Sequence, residues 1–358
     1  MILSKEDVHT QHLLIKSFCK NTNTPINCYD KTIFIDLIKL LDPFLNTINK
    51  LNQFQEYIKS FNHIDDMFSY EQNIQDEILQ KIYNNPLYSS FILENFQNKH
   101  NYINEVKHSF MQQNLYNVNN HGKIFLSIDL RQANFVALKH YSKQIFDINK
   151  EYDKWEDVVA DFTPYEFLQN SKRLRQIILG KLNSKRIEQY ETYIMSCLII
   201  PFVKQINPYL DITNLISLKG DELIFHLPLS ENEIETQIPM IKIIKQMVQE
   251  FLDISIHCNI FKLINIDGID SGYLKLLYNG ASNNTYYKTI EIKGVNSLLY
   301  SFVADDLINM FYKDIIFINE ESKYYFYEQN TKVLSKMMEK PKYNILLSEE
   351  DKKGIMFL

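Results

Sequence analysis

Two groups of carboxylates at the ends of apolar runs could do chemistry together. KIFLSID (Lys123 to Asp129) is a short apolar run that closes on an acid, and ITNLISLKGDELIFHLPL (Ile212 to Leu229) is a pair of apolar runs joined by Lys219-Gly220-Asp221-Glu222. Runs of this length between turn residues predict strands, and the second pair predicts a hairpin. Carboxylates held a few ångströms apart repel each other, and a divalent cation in the gap relieves the repulsion. Mg²⁺ takes one or two carboxylates together with substrate phosphates, so the chemistry expected of such a group is nucleotidyl transfer: one ion activates an attacking hydroxyl and a second neutralises the triphosphate leaving group. The structural alternative is that Asp129 caps a helix beginning at Arg131 and Asp221 fills a turn.

Asp129 and Asp221 lie 92 positions apart, so the elements between them decide whether they meet. From Lys123 the pattern gives a strand, a helix over Arg131 to Phe146, a helix-rich basic segment from about Tyr152 to Ile206, and the two hairpin strands. An amphipathic helix over Glu231 to Phe251, with Pro239 inside it, and a strand over Asp253 to Ile266 complete the series. With the basic segment set aside, this is a split β-α-β arrangement. Right-handed crossovers place the first strand beside the third, running oppositely, so the end of the first strand meets the hairpin tip at one sheet edge. Asp129, Asp221 and Glu222 are therefore expected as neighbours, around a gap that Mg²⁺ or Mn²⁺ would fill if the acids act as ligands rather than as a cap and a turn residue.

SIDLRQANFVALKHYS (Ser127 to Ser142) resembles the first palm motif of the family A DNA polymerases, D-Y-S-Q-I-E-L-R followed by an apolar stretch and H-x-S. LISLKGDELIFHLPL (Leu215 to Leu229) resembles their third motif, Q-V-H-D-E-L-V-F-E-V-P. The resemblance covers about 140 of 358 residues. It implies that Asp129 and Asp221 are metal ligands, that Glu222 is the second acid beside them, and that Gln132 and His140 fall on matching positions. Asn134 stands where the family has its sugar-edge glutamate, and Gly220 where it has a histidine. Between these motifs the family carries a fingers helix, R-x-x-x-K-x-x-x-F-x-x-x-Y-G, that touches the triphosphate. Here SKRLRQIILGKLNSKRIEQYETY (Ser171 to Tyr193) places Lys181, Lys185, Gln189 and Tyr193 at the four-residue spacing of one helix face, with Arg175 nearby. The implied substrate-binding set is Arg175, Lys181, Lys185, Tyr193, Gln132 and Asn134. The spacing between the motifs is shorter than the family's usual fingers region, which implies a reduced member without a proofreading domain. KGDELIFHLP also resembles the G-G-D-E-F signature of cyclic dinucleotide synthases, which would convert free triphosphates without a primer. The third reading is a noncatalytic nucleic-acid or protein-binding factor that retains a decayed palm.

The flanks read more simply. Residues 1 to about 120 predict a helical, thumb-like unit: Lys31 to Phe61 carries apolar residues near a 3.6 period with Pro43 as a break, a helix over Tyr70 to Tyr83 stops at Asn84-Asn85-Pro86, and another runs from about Leu87 to Gln113. The whole is expected to be α+β: this helical unit, a palm-like domain over 121–266 with a fingers-like insertion at 151–206, and a small C-terminal α+β unit over 267–358. In that last unit Tyr286, Tyr287, Lys288 and Lys293 could stack bases and hold phosphates, or simply build a small sheet. Asp305-Asp306 reads as a solvated helix face.

Composition narrows the classes further. The chain has 38 basic and 44 acidic residues for a net charge of −6, so a nucleic-acid partner requires a local groove rather than a basic coat. No apolar stretch approaches the length of a membrane span and no secretory leader is evident, which predicts an intracellular protein without a membrane partner. The Ile-, Asn- and Lys-rich composition is that of an A+T-rich genome, and with the compact core it points to a virus, phage or mobile element. The four cysteines are widely scattered and are expected to be free thiols; His9, His12, Cys19 and Cys28 lack zinc-ligand spacing, and His257 and Cys258 should face opposite sides of a strand. P-loop and dinucleotide fingerprints are absent from the sequence.

Overall fold

The computed structural model describes residues 7–26, 30–94, 115–207, 210–280, 286–311, 325–327, 334–337 and 342–356. The chain opens with five helices: α1 (Val8–Thr22), α2 (Lys31–Leu45), α3 (Thr47–Ile58), α4 (Ile64–Tyr83) and α5 (Pro86–Leu93). Asp7, Asp30 and Asn85 cap α1, α2 and α5 through their side chains. The expected single stretch over Lys31 to Phe61 is two helices, because the chain turns through Asn46 in the left-handed region three residues after Pro43. Of the stretch expected over Leu87 to Gln113, α5 forms and residues 95–114 lie outside the described part.

A sheet follows, built from β1 (Ile124–Leu130), β2 (Leu215–Lys219), β3 (Glu222–Leu227), β4 (Ile256–Asp267), β5 (Tyr273–Gly280) and β6 (Tyr286–Lys293), in the order β2-β3-β1-β4-β5-β6. Every pair is antiparallel, and the two-residue strand β9 (Asn344–Ile345) joins β4 as a seventh member. The fold is thus α+β with an open antiparallel sheet, and β1 lies between β3 and β4 as the split β-α-β reading requires. A short pair, β7 (Tyr325–Tyr327) and β8 (Leu334–Met337), lies outside this sheet. The boundary expected at residue 267 does not separate two sheets: β5 and β6 continue the pairing begun at β4.

Helices α6 (Ala133–Tyr141) and α12 (Glu231–Leu252) are the crossovers between sheet strands. Helix α6 is shorter than the expected Arg131 to Phe146, ending where Ser142 becomes extended. The insertion comprises α7 (Trp155–Ala160), α8 (Glu166–Gln169), α9 (Lys172–Lys181), α10 (Ser184–Tyr193), a π-helical stretch (Ile194–Ile199) and α11 (Ile200–Ile206). Pro201 explains the widened turn just before it, since a proline ring clashes with the carbonyl four residues back in a regular helix.

The insertion does not stand apart. Phe54 and Tyr57 of α3 pack on Phe167 of α8, with ring centroids 4.9 and 5.3 Å away, and Tyr70 of α4 packs on Tyr165 at 5.7 Å. One continuous apolar core joins the N-terminal helices, the insertion and the helix-covered face of the sheet. The chain then continues through α13 (Ser297–Phe311) and α14 (Glu349–Lys352).

Candidate functional site

Strand alternation decides which side chains reach the uncovered sheet face. Ile124, Leu126, Ile128 and Leu130 of β1 enter the main core, Phe125 enters a small second cluster with Ile224, Phe261 and Leu263, and Ser127 and Asp129 remain at the open end of that second face. Asp129 pairs across the ladder with Glu222 on one side and with His257 on the other. Gly220 and Asp221 form the two-residue hairpin turn, Gly220 taking φ +34° in the first position. The Asp221 carbonyl accepts a hydrogen bond from the Leu130 amide at 2.9 Å, which ties the tip to the end of β1. Asp129, Asp221 and Glu222 therefore meet at one edge, where they line a cleft of about 470 Å³ shared with Ser127, Lys275 and Lys293.

The acids are short of counter-charge. Glu222 accepts a 2.8 Å hydrogen bond from the Ser127 hydroxyl and lies 3.5 Å from the Lys275 ammonium, which itself sits 4.6 Å from the centre of the Phe261 ring. Burial first, then repulsion from Asp221 and Glu222, pushes the Asp129 carboxyl up to about 7, against a smaller downward pull from Lys275 and Lys293. Asp221 is raised chiefly by burial, with Glu222 and Glu188 adding to it and Lys219 opposing. Glu191 of α10 is pushed up to about 8 by burial and by Asp221, Glu188 and Asp129. Among the described residues no group of three or more His, Cys, Asp or Glu side chains is arranged to hold a metal ion.

The opposite charge gathers nearby. Lys172 is pushed down by burial and by Arg175 and Lys293, and Lys50 by burial and Lys172, so these four cations share one region. Lys172, Arg173 and Arg175 occupy the first turn of α9, which contains no acid, whereas the helix dipole favours negative charge there. Neither Lys172 nor Arg175 makes an ion pair among the described residues; Arg175 is half-buried and pushed down by that burial, with Glu156 opposing. Two stacked rings, Tyr116 and Tyr273 with centroids 4.0 Å apart, also line the cleft.

No family model and no curated protein matches this chain. The site's chemistry therefore rests on its own residues.

The structure brings together the three expected acids and places Arg175 in the basic group. The other expected substrate contacts differ. Lys181 and Lys185 do not share one helix face, because Leu182 is extended and breaks the segment into α9 and α10; both are exposed at that junction, and the cations acting on Asp129 and Asp221 are Lys275, Lys293 and Lys219. Gln132 sits in the left-handed region after β1, donating to Glu156 at 2.6 Å and accepting from the Trp155 amide at 3.1 Å, so it pins the insertion to the sheet. Asn134 is half-buried in the first turn of α6. Tyr193 closes α10 with its ring 5.6 Å from Tyr190, whose hydroxyl meets His140 Nδ1 at 3.0 Å. His257 is exposed toward the cleft and Cys258 is buried behind it, as alternation requires.

The sequence does not single out Glu188, Glu191 or Lys275, and it suggests Lys293 as a phosphate contact of the C-terminal unit rather than as a neighbour of Asp129. The glutamates are three apart on α10 and share a face, a pattern visible in the sequence once the break at Leu182 is known. The two lysines come from β5 and β6 and become neighbours of Asp129 only through sheet register. Cys28 and the side chains of Tyr286 and Tyr287 lie outside what is described.

Proposed function

We propose that the protein catalyses metal-dependent nucleotidyl transfer from a nucleoside triphosphate to a nucleic-acid 3′ hydroxyl, on a palm-like sheet. The observation that carries this reading is the convergence of Asp129, Asp221 and Glu222 at the mouth of a cleft that Lys275 and Lys293 also line. Asp129 and Asp221 supply hard oxygen donors of the kind Mg²⁺ or Mn²⁺ takes, leaving coordination positions for phosphate oxygens. The bound ion would supply charge neutralisation of the triphosphate and a more acidic attacking hydroxyl.

The remaining work falls to the chain. Ser127 and Lys275 both contact Glu222 Oε1 and so orient this carboxylate beside the pair. Lys172 and Arg175, which make no ion pair among the described residues, offer positive charge to the β- and γ-phosphates, with Lys293, paired to Glu291, beside them, and such charge stabilises a departing pyrophosphate. Tyr116, half-buried and backed by the buried Tyr273 ring, offers an aromatic face on which a base can stack. The motif resemblance supports templated synthesis over untemplated, with Asn134 at the position that would meet the sugar.

The test is incorporation of labelled nucleotides on a primed template with Mg²⁺ or Mn²⁺. Wild-type activity that disappears in Asp129→Ala and in Asp221→Ala supports transfer. Conversion of free triphosphates without primer would replace this reading by a cyclase, and binding of primed template with no incorporation would replace it by a noncatalytic factor.

A further inference from the structure

Glu191 is a buried carboxylate that makes no ion pair among the described residues. Its residue is 6% exposed, and Oε1 has no hydrogen-bond partner among the described residues. Ionised carboxylates are expensive to bury unless they are paired or coordinate a metal. Helix α10 presses this group onto the hairpin tip: a Cβ added at Gly220 would stand 3.7 Å from Glu191 Oε2 and 3.8 Å from Glu188 Cγ. The next residue is Asp221, and Asp221, Glu188 and Asp129 are the charges that act on Glu191. Lys219, the cation acting on Asp221, makes no ion pair with Glu191.

We propose that Glu191 and Asp221 together hold a divalent cation at the hairpin tip, before any nucleotide arrives. The site deepens the nucleotidyl-transfer reading and rests on its assignment of Asp221 as a metal ligand. Its two protein donors are both carboxylate oxygens, one from the sheet and one from the insertion, which suits a small hard ion that keeps several waters, Mg²⁺ or Mn²⁺, rather than a softer metal needing nitrogen or sulfur. Exposed Glu188, one turn earlier on the same face, adds negative charge that draws the ion in. The consequence is a mechanical link: the ion joins α10 to the β2–β3 turn, so loading it fixes the insertion against the acid edge.

The experiment is a titration of the full-length chain with Mn²⁺ in the absence of nucleotide, read by the loss of the free-ion electron paramagnetic resonance signal and repeated as a thermal-unfolding scan. Glu191→Gln keeps shape and removes charge, so it should fold, with an unfolding temperature in chelator no lower than the wild type's. The expected result is Mn²⁺ uptake by the wild type that Mg²⁺ competes away. Uptake should be weakened about tenfold or more in Glu191→Gln and in Asp221→Asn, and Mn²⁺ should raise the unfolding temperature of the wild type alone. Uptake by Glu191→Gln equal to the wild type's, or no uptake by the wild type, overturns the site. A chain that loads the ion through Glu191 yet incorporates no nucleotide keeps this site and loses the transfer reading. Incorporation that is unaffected by Glu191→Gln in a chain whose uptake is also unaffected does the reverse.

Discussion

Replacing Asp129 by asparagine should make the metal-free protein more stable while destroying its proposed activity. In the folded state burial, Asp221 and Glu222 raise this carboxyl from 3.8 to about 7. Each unit corresponds to about 1.36 kcal/mol, which sets a ceiling of roughly 4 kcal/mol on the cost of ionising it in the fold. Water reaches the cleft, and screening reduces such terms severalfold, so a gain of about 1 to 2 kcal/mol is expected, or roughly 1 to 3 °C in unfolding temperature for a chain of this length. The sign depends on pH. A carboxyl whose folded pKa is raised contributes stability that is fully present below the unfolded pKa and is lost as pH rises through the folded one. The wild type should therefore lose stability across the window from 3.8 to about 7, and Asp129→Asn should lose less of it. Unfolding scans in chelator at pH 8 and pH 5 check this: the variant's lead at pH 8 should shrink to roughly a third at pH 5. A variant that is less stable at pH 8, or whose lead is the same at both values, would refute the repulsion argument.

Other outcomes follow from residues away from that carboxyl. Glu71, buried in α4 and 3.4 Å from the Tyr57 hydroxyl, is raised by burial to about 7 despite Arg173, so Glu71→Gln should flatten the loss of stability between pH 4.5 and 7 in the same unfolding scans. Gly220→Ala should cost about 1 to 2 kcal/mol in denaturant unfolding, from the positive φ alone, since the new Cβ meets Glu191 at an ordinary contact distance. Lys172→Gln combined with Arg175→Gln should raise the KM for triphosphate about tenfold with a smaller change in kcat, if these cations bind phosphate in ground and transition state alike. An unchanged KM in steady-state incorporation assays would remove them from the site.

The acid edge was legible because it follows from strand alternation, turn chemistry and crossover handedness, each of which acts locally or by a general rule. KIFLSID and LISLKGDELIFHLPL fall on β1, β2 and β3, and the antiparallel pairing of Asp129 with Glu222 is what a split β-α-β arrangement dictates. The cationic side was not legible in the same way. Lys275 and Lys293 reach Asp129 through β4–β5 and β5–β6 pairings that no motif announces. The helix face at Lys181 and Lys185 was misread because the break at Leu182–Asn183 carries no proline; Asn183 starts a new helix by capping Arg186, a feature the basic periodicity masks. The role of Gln132 was equally hidden, since its partners, Glu156 and Trp155, belong to the insertion.

The two charge groups also constrain what the cleft can accept. They do not cancel each other: Lys275 stands 3.5 Å from Glu222, long for a charged hydrogen bond, and Lys293 is turned to Glu291 at 3.0 Å. A free triphosphate would be drawn to Lys172, Arg175 and Lys293 but repelled by Asp129 and Asp221, whereas a free cation would meet the reverse. A divalent ion carried with its polyphosphate satisfies both at once. Binding of the two should consequently be cooperative, and by linkage each must raise the other's affinity by the same factor. Triphosphate affinities measured by calorimetry with and without Mg²⁺, set beside Mg²⁺ affinities with and without triphosphate and corrected for complexation in solution, should close that cycle with a factor above one. Equal triphosphate affinity in the presence and absence of the ion would mean that the acidic and basic groups serve separate ligands.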